Sequence, residues 1–218
     1  MASLDGSDVA RLEAVLGEGQ KQGLLGPGPV SVQVRHALAM AEHIAPPTGP
    51  ALDLGTGGGL PGLVLAACWP STRWYLLDGR ERSTRFVGEA VEELGLGGRC
   101  TVLAGRAELM GHDPTHRHQY DLVVARGFGP PAATAECGAP FLRTGGKLVV
   151  SEPPGGDERR WPAVAMRGLG LELDRLVADG EVSLVVFTQV EPAPDRFPRR
   201  TGVPTKRPLF SVSRETNT

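Results

Sequence analysis

Apolar residues recur at helical spacing in two stretches near the start of the chain, residues 8–20 and 32–44. Glycine and proline separate these stretches and follow the second one, so the pattern predicts two short helices. From residue 51 onward, short β-type runs alternate with helical ones. The predicted strands are residues 51–54, 73–77, 101–104, 122–125, 147–151, 171–177 and 181–190, and the predicted helices are residues 62–68, 86–94, 132–141 and 158–169.

This alternation indicates an α/β fold, an open and mostly parallel sheet with helices on both faces. Asp179 and Gly180 separate the last two strands, and an Asp-Gly turn favours antiparallel neighbours. The sheet should therefore close with an antiparallel C-terminal hairpin. The two early helices predict a small helical cap at residues 1–48, followed by the main domain at residues 49–218.

Composition narrows the class of protein further. The 218 residues are 40% apolar and 22% charged, which suits a globular domain with a sizeable core. No run approaches the roughly 18 apolar residues of a membrane span, and residues 1–6 lack the regions of a signal peptide. Three widely spaced cysteines favour a reducing compartment over a disulfide framework. We therefore expect a cytoplasmic protein with no membrane partner.

The formal charge of −2 conceals an uneven distribution. From Arg196 to the end there are six basic residues and one acidic residue, whereas the remainder has 17 basic and 24 acidic residues. A basic tail on an acidic body suggests a local anionic partner. A merely solvated tail is the alternative, and charge alone favours it.

The chemistry begins where the first predicted strand ends in Asp53 and meets glycines at alternate positions, Gly55, Gly57 and Gly59, followed by Leu60. Glycines let the backbone approach a ligand, and the next helix begins with unpaired N–H groups. Two templates fit, the G-x-G-x-x-G dinucleotide fingerprint and the loop of methyltransferases that use S-adenosylmethionine. A carboxylate at the strand end repels a pyrophosphate but attracts an ammonium group, which favours S-adenosylmethionine.

Acidic residues also follow the next two strands. Asp78 ends the second strand, where an acid accepts hydrogen bonds from ribose hydroxyls in nucleotide-binding folds, although it would also suit a helix N-cap. Ala107 and Glu108 follow the third strand at the same carboxyl edge. Ligands bind along that edge, so we expect a wall for the adenine there. By itself Glu108 is more typical of a solvated loop.

These pieces together resemble the bacterial methyltransferases that modify guanine N7 in small-subunit (16S) ribosomal RNA, a family once called glucose-inhibited division protein B. The Gly-Arg-Ala-Glu loop and the basic tail motif are more specific than the glycine loop. The matching segments, in chain order, are Arg35-His36, residues 53–62, Leu76-Leu77-Asp78 with Arg85-Phe86, residues 105–109, residues 120–126, and the tail Phe197-Pro198-Arg199-Arg200…Pro204-Thr205-Lys206-Arg207-Pro208-Leu209.

The resemblance implies a class I, Rossmann-like methyltransferase with S-adenosyl-L-methionine as cofactor. It implies 16S ribosomal RNA, or a small ribosomal subunit precursor, as partner. Arg126 should position the reactants at the end of the fourth strand, unless it forms a structural ion pair with Asp121 or Glu108. The cofactor contacts that the family implies are Gly55, Leu60, Ala107, Glu108 and Arg126.

Contacts to RNA are expected from Phe128 and from the tail. Phe128 follows Arg126 and would stack on a splayed base, although a core or lid role suits it equally well. The tail cations would hold phosphates; they are Arg199, Arg200, Lys206 and Arg207. Guanine N7 has no proton to lose, so the reaction needs orientation more than a general base. We expect no metal, because His112, His116 and His118 lie in a polar loop without a cysteine partner.

Two of the chain's departures from the family pattern bear on its function. Its N-terminal region is short, and Glu152 follows the fifth strand where the family has a lysine. These departures keep two alternatives open: a methyltransferase of a small metabolite, and a non-catalytic cofactor-binding factor for assembly or regulation. An NAD-dependent protein is a more distant alternative.

Overall fold

A seven-stranded sheet forms the centre of the molecule in the computed structural model, which describes residues 4–211. The strand order is β3-β2-β1-β4-β5-β7-β6. The first five strands run parallel, and β7 is antiparallel to both β5 and β6. The strands are β1 (Ala51–Leu54), β2 (Trp74–Asp78), β3 (Cys100–Ala104), β4 (Tyr120–Ala125), β5 (Leu142–Ser151), β6 (Leu171–Ala178) and β7 (Ser183–Gln189).

Eight α-helices surround the sheet within the described residues. None of these helices is long and apolar enough to cross a membrane. They are α1 (Gly6–Lys21), α2 (Val30–His43), α3 (Gly62–Cys68), α4 (Glu81–Glu93), α5 (Ala107–Met110), α6 (Pro131–Gly138), α7 (Ala163–Arg167) and α8 (Val203–Lys206).

The predicted α/β sheet and its antiparallel hairpin are confirmed, and β1 and α3 have the predicted bounds. The predicted helix over residues 158–169 is wrong. A 3-10 turn at Glu158–Arg160 precedes the short helix α7. Pro162 lies between them, and a proline lacks an N–H and restricts the residue before it, so no helix continues through it.

The two N-terminal helices pack on one side of the sheet. Helix α1 contacts α2 and α4, and α2 contacts α3. Leu16 and Val34 are fully buried in the same apolar cluster as the residues of α3 and α4. A Cβ at Gly19 of α1 would lie 2.7 Å from the Phe86 ring, so the helices touch closely there. The division of the chain at residue 48 stays a prediction.

Parallel strands bring their carboxyl ends to one edge of the sheet. Leu54 pairs with Leu77 and Asp78 pairs with Ala104, so the loops after β1, β2 and β3 begin side by side. Strand β1 lies between β2 and β4 and is buried on both faces, which places its glycine loop at the centre of this edge. The candidate site is built from these loops.

Candidate active site

A cavity of about 320 Å³ opens at the carboxyl edge, and we call it the nucleoside cavity. Its walls come from the C-terminal ends of four strands with the segments that follow them, and from the C-terminal tail. The lining includes Gly55 after β1, Asp78 at the end of β2, Ala107 and Glu108 in α5, Phe128 after β4, and Gly202 and Thr205 in the tail. The cavity therefore brings together four of the nine predicted cofactor residues: Gly55, Asp78, Ala107 and Glu108.

The glycine loop has a backbone that ordinary side chains rarely adopt. Gly55, Gly57 and Gly59 have φ values of +74°, +57° and +97°. A Cβ at Gly55 would lie 2.5 Å from the Phe128 ring, because the loop passes directly beneath that side chain. The alternating glycines are thus required by the turn and by close approach.

Asp53 supports this loop from below. Its side chain is fully buried, and Oδ2 accepts the Gly62 backbone N–H at the start of α3 (2.9 Å). Oδ1 has no hydrogen-bond partner among the described residues. Burial raises the pKa of Asp53 to about 7, against the opposing influence of Thr56 and Gly62. The carboxyl group is absent from the described cavity walls, so Asp53 positions the loop and the expected contact with an ammonium group gains no support.

Asp78 lies in the cavity wall and is nearly buried. Its Oδ2 accepts the Gly57 backbone N–H (2.9 Å), and its Oδ1 accepts from the backbone N–H and Nε of Arg80 (2.8 and 3.3 Å). An ionised carboxylate has about four acceptor positions. Three are used, so Asp78 retains capacity to accept from a ligand hydroxyl.

The opposite wall joins the third strand's loop to the C-terminal tail. Glu108 Oε1 accepts the Gly202 backbone N–H (2.8 Å), and Gly202 and Thr205 line the cavity beside it. Glu108 is therefore not a solvated loop acid. The tail motif indicated a basic segment, but nothing in the sequence indicated that this segment closes the cavity.

A second cavity of about 280 Å³ lies on the other side of the glycine loop, and we call it the loop cavity. Leu60 and Arg126 line it with Gly57. Arg126 Nη1 donates to the Gln33 carbonyl of α2 (3.2 Å). Burial lowers the pKa of Arg126, and the nearby Asp53 opposes that change. The alternative ion pairs are not formed, since Asp121 pairs with Arg143 and Glu108 binds Gly202.

The residues predicted to contact RNA differ in their surroundings. Phe128 is partly exposed and lines the nucleoside cavity. Arg199 is engaged, because its Nε and Nη2 donate to both oxygens of the buried Glu136. Arg200, Lys206 and Arg207 are exposed and have no ion pair with a described residue. Arg214 and Glu215, counted above with the basic tail, lie outside the described residues.

The histidines of the loop after α5 have protein partners. His112 Nε2 contacts the Pro198 carbonyl (2.7 Å), and His116 Nδ1 contacts the Tyr120 hydroxyl (2.7 Å). No group of histidine, cysteine or acidic residues within residues 4–211 has the arrangement of a metal site. These side chains secure the loop and the tail.

The geometry fits a nucleoside-containing cofactor such as S-adenosylmethionine. The cavity holds a strand-end carboxylate with spare acceptor capacity, and its floor is a glycine backbone that a Cβ would obstruct. A Cβ at Gly105 would lie 2.9 Å from the Met110 side chain, so the segment after β3 is also closely packed. The residues positioned to hold the nucleoside part of such a cofactor are Gly55, Asp78, Ala107 and Glu108.

Solved structures with this fold include methyltransferases. The mitomycin 7-O-methyltransferase MmcR has a TM-score of 0.60 at 18% identity, with 84% of this chain and 61% of that chain covered. A putative S-adenosyl-L-methionine-dependent methyltransferase from Methanococcus maripaludis has a TM-score of 0.58 at 15% identity, with 88% and 98% covered. At these identities the likeness shows the class I methyltransferase fold.

Sequence comparison is more specific. Ribosomal RNA small subunit methyltransferase G of Deinococcus radiodurans is 40% identical over 171 residues, covering 75% of this chain and 67% of that protein. The protein of the same name from Symbiobacterium thermophilum is 36% identical over 196 residues, covering 83% and 80%. The GidB family model, described as rRNA small subunit methyltransferase G, matches residues 14–152. The glycine loop, the carboxyl-edge cavity and these matches agree, and the chain belongs to the rRNA small subunit methyltransferase G family.

Proposed function

We propose that this protein transfers a methyl group from S-adenosylmethionine to guanine N7 of small-subunit ribosomal RNA, acting on the RNA or on a precursor of the small ribosomal subunit. The observation that carries this proposal is the position of the tail. Gly202 and Thr205 line the nucleoside cavity, while Arg200, Lys206 and Arg207 on the same segment are exposed. A methyl donor and an RNA backbone would thus be held by adjoining parts of one short segment.

The cofactor residues divide into holding and positioning roles. When bound, S-adenosylmethionine supplies a methyl group activated by a positively charged sulfur. Asp78 would accept from the ribose hydroxyls, and Ala107 with Glu108 would flank the adenine. Asp53 acts through the loop, because its carboxyl group holds the start of α3 under the glycines. Gly57 and Leu60 line the loop cavity beside Arg126, and Gly59 contributes the turn between them with its positive φ.

Methylation of guanine N7 does not require a side chain that acts as a general base. Guanine N7 attacks with a lone pair and loses no proton, so the site must orient the base and exclude water. Arg126 is held at the end of β4 by the Gln33 carbonyl, and Phe128 lies just beyond it. We assign Arg126 to positioning and Phe128 to contact with the base.

Phosphate contacts fall to the three exposed tail cations. Cations that approach RNA phosphates release counterions and give salt-dependent affinity. Arg199 has a different role, since it fixes the start of the tail to α6 through Glu136. Because the substrate is ribosomal RNA and the three cysteines are free and buried, we place the activity in the cytoplasm.

Mass mapping of small-subunit ribosomal RNA tests the proposal. RNA from a deletion strain should lack one N7-methylguanine, and complementation with the intact chain should restore it. An unchanged map would contradict the ribosomal assignment and favour a small-metabolite acceptor. Calorimetry with S-adenosylmethionine and with NAD tests the cofactor separately, and tight binding of NAD alone would contradict the cofactor assignment.

A further inference from the structure

A third cavity of about 300 Å³ lies beside the nucleoside cavity, at the carboxyl ends of β4 and β5. We call it the β4–β5 cavity. Gly127 and Phe128 line both cavities, so a group in the β4–β5 cavity would lie next to a group in the nucleoside cavity. Ser151, Glu152 and Trp161 form part of its remaining wall. Its size and position suit one unpaired nucleobase.

A protein that methylates guanine N7 faces a restriction on how it can recognise guanine. The commonest specific contact to guanine is an arginine that donates to O6 and N7. That contact would occupy the lone pair that has to react. Recognition must therefore use the Watson–Crick edge of an unpaired base. That edge presents two donors, N1–H and the N2 amino group, so the complementary protein group is an acceptor such as a carboxylate.

Glu152 is the one carboxylate among the described residues that line the β4–β5 cavity. Its side chain is only 3% exposed, and Arg160 donates to Oε2. No described residue makes a hydrogen bond to Oε1 that meets ordinary geometry. Burial raises the pKa of Glu152, and the neighbouring side chains of Arg160 and Trp161 oppose that change. Arg160 thus supplies the charge that keeps a buried carboxylate available as an acceptor.

The β4–β5 cavity also contains other hydrogen-bonding groups besides Glu152. Trp161 is 3% exposed, and its indole N–H has no hydrogen-bond partner among the described residues. The hydroxyls in the same wall are engaged, since Thr134 donates to the Gly129 carbonyl and Ser151 contacts His36. The Glu152 carboxylate and the Trp161 indole N–H therefore lie together in one cavity, and the carboxylate retains acceptor positions for a ligand.

We propose that the β4–β5 cavity binds the acceptor guanine and that Glu152 selects it by accepting hydrogen bonds from N1–H and the N2 amino group, which leaves N7 free. The inference rests on the proposed function and adds a specificity-determining residue to it. Adenine would present an N1 lone pair to the carboxylate and would be repelled. The acid that departs from the family's lysine is then a recognition group of this chain.

The test replaces one functional group on the base. After mapping identifies the methylated guanine, small-subunit ribosomal RNA is assembled from ligated pieces with guanine or inosine at that position; inosine lacks only the N2 amino group. The wild-type initial rate should fall about tenfold with inosine, as expected for loss of one charge-assisted contact. Glu152→Gln should lower the rate on guanine by a similar factor and should methylate guanine and inosine equally.

Two controls separate recognition from folding and from the proposed function. Glu158→Gln changes an exposed carboxylate of the neighbouring turn and should keep the wild-type preference. Binding of S-adenosylmethionine to Glu152→Gln, measured by calorimetry, should equal that of the wild type. Equal wild-type rates on guanine and inosine, or an unchanged preference in Glu152→Gln, would overturn the inference while leaving the proposed function intact. Absence of N7-methylguanine with the wild-type protein would overturn both.

Discussion

Arg199 and Glu136 lie 63 positions apart in the chain, yet Nε and Nη2 of Arg199 donate to the two carboxylate oxygens over 2.8 and 2.6 Å. Glu136 has no exposed side-chain surface, whereas 29% of the Arg199 side chain is exposed. The Arg199 backbone N–H donates to the same carboxylate (2.8 Å). The pair therefore fixes the C-terminal tail to helix α6.

Removal of the arginine from this pair should destabilise the fold. Arg199→Ala leaves a buried carboxylate with one donor, and breaking a buried pair typically costs about 3 kcal/mol or more. Urea unfolding at pH 7 measures the loss. Arg200→Ala is the matched control, because Arg200 is exposed and its change should stay within about 0.5 kcal/mol. Equal stability of the two variants would show that the pair contributes nothing.

The exposed tail cations should determine the salt dependence of RNA binding. Replacing Arg200, Lys206 and Arg207 together by alanine should weaken binding and make the slope of log affinity against log salt shallower by about 2, at roughly 0.7 per lost phosphate contact. Filter binding to small-subunit ribosomal RNA across a salt series measures both. Arg73→Ala, at the opposite edge of the sheet, should leave the slope unchanged. An unaltered slope in the triple variant would mean that the tail is only solvated.

A methyl group on the glycine loop should weaken cofactor binding. Gly55→Ala places a Cβ 2.5 Å from the Phe128 ring at a backbone φ of +74°, so the loop or the ring must move. Calorimetry should show at least a tenfold loss of S-adenosylmethionine affinity, or about 1.4 kcal/mol. Gly88→Ala in α4 meets no atom within 4 Å and should raise stability by about 0.5–1 kcal/mol. Undiminished affinity in Gly55→Ala would show that the ligand does not use this loop.

Asp53 should make stability fall as the pH rises from about 4 to 7. Burial holds its proton in the folded state up to about pH 7, whereas the unfolded chain releases it near pH 3.8. The folded state thus binds more protons in this range, and the free energy of unfolding declines until Asp53 is ionised in both states.

Asp53→Asn removes that decline while its amide oxygen can still accept the Gly62 N–H. Because each pKa unit between the folded and unfolded states corresponds to about 1.4 kcal/mol, the gain at pH 8 should be on the order of 4 kcal/mol, with little gain at pH 4. Urea unfolding at both pH values checks this. The exposed Asp195→Asn should change little at either pH, and a gain in Asp53→Asn that is equal at pH 4 and pH 8 would contradict the assignment.

Local patterns predicted the sheet well because its central strands are short apolar runs bounded by glycine or charged residues. Strand β1 (Ala51–Leu54) has the predicted bounds for that reason, and helix α3 (Gly62–Cys68) has them because it begins directly after Pro61. The prediction of a helix over residues 158–169 was wrong because it followed the helical spacing of apolar residues and gave too little weight to Pro162, which interrupts a helix. The contact between Arg199 and Glu136 could not be predicted, since only the tertiary fold brings a tail cation to an interior acid on α6.

Asp53 shows a different limit of prediction. Its residue type and place at a strand end were identified correctly, but side-chain direction decides between a ligand contact and support of the loop. The carboxyl group points to the Gly62 N–H beneath the glycines. Asp78, one strand away, has a similar position in sequence and lies in the cavity wall. Strand-end acids alone do not distinguish these two outcomes.

The part of the nucleoside cavity that the C-terminal tail forms is completed last when the protein is synthesised. Ribosomes add Gly202 and Thr205 after every strand of the sheet, so a nascent chain with a complete sheet still lacks one side of the cavity. The segment that completes the cavity wall also carries the exposed tail cations. A prematurely released chain ending before residue 199 would lack the cavity wall, those cations and the Arg199 partner of Glu136.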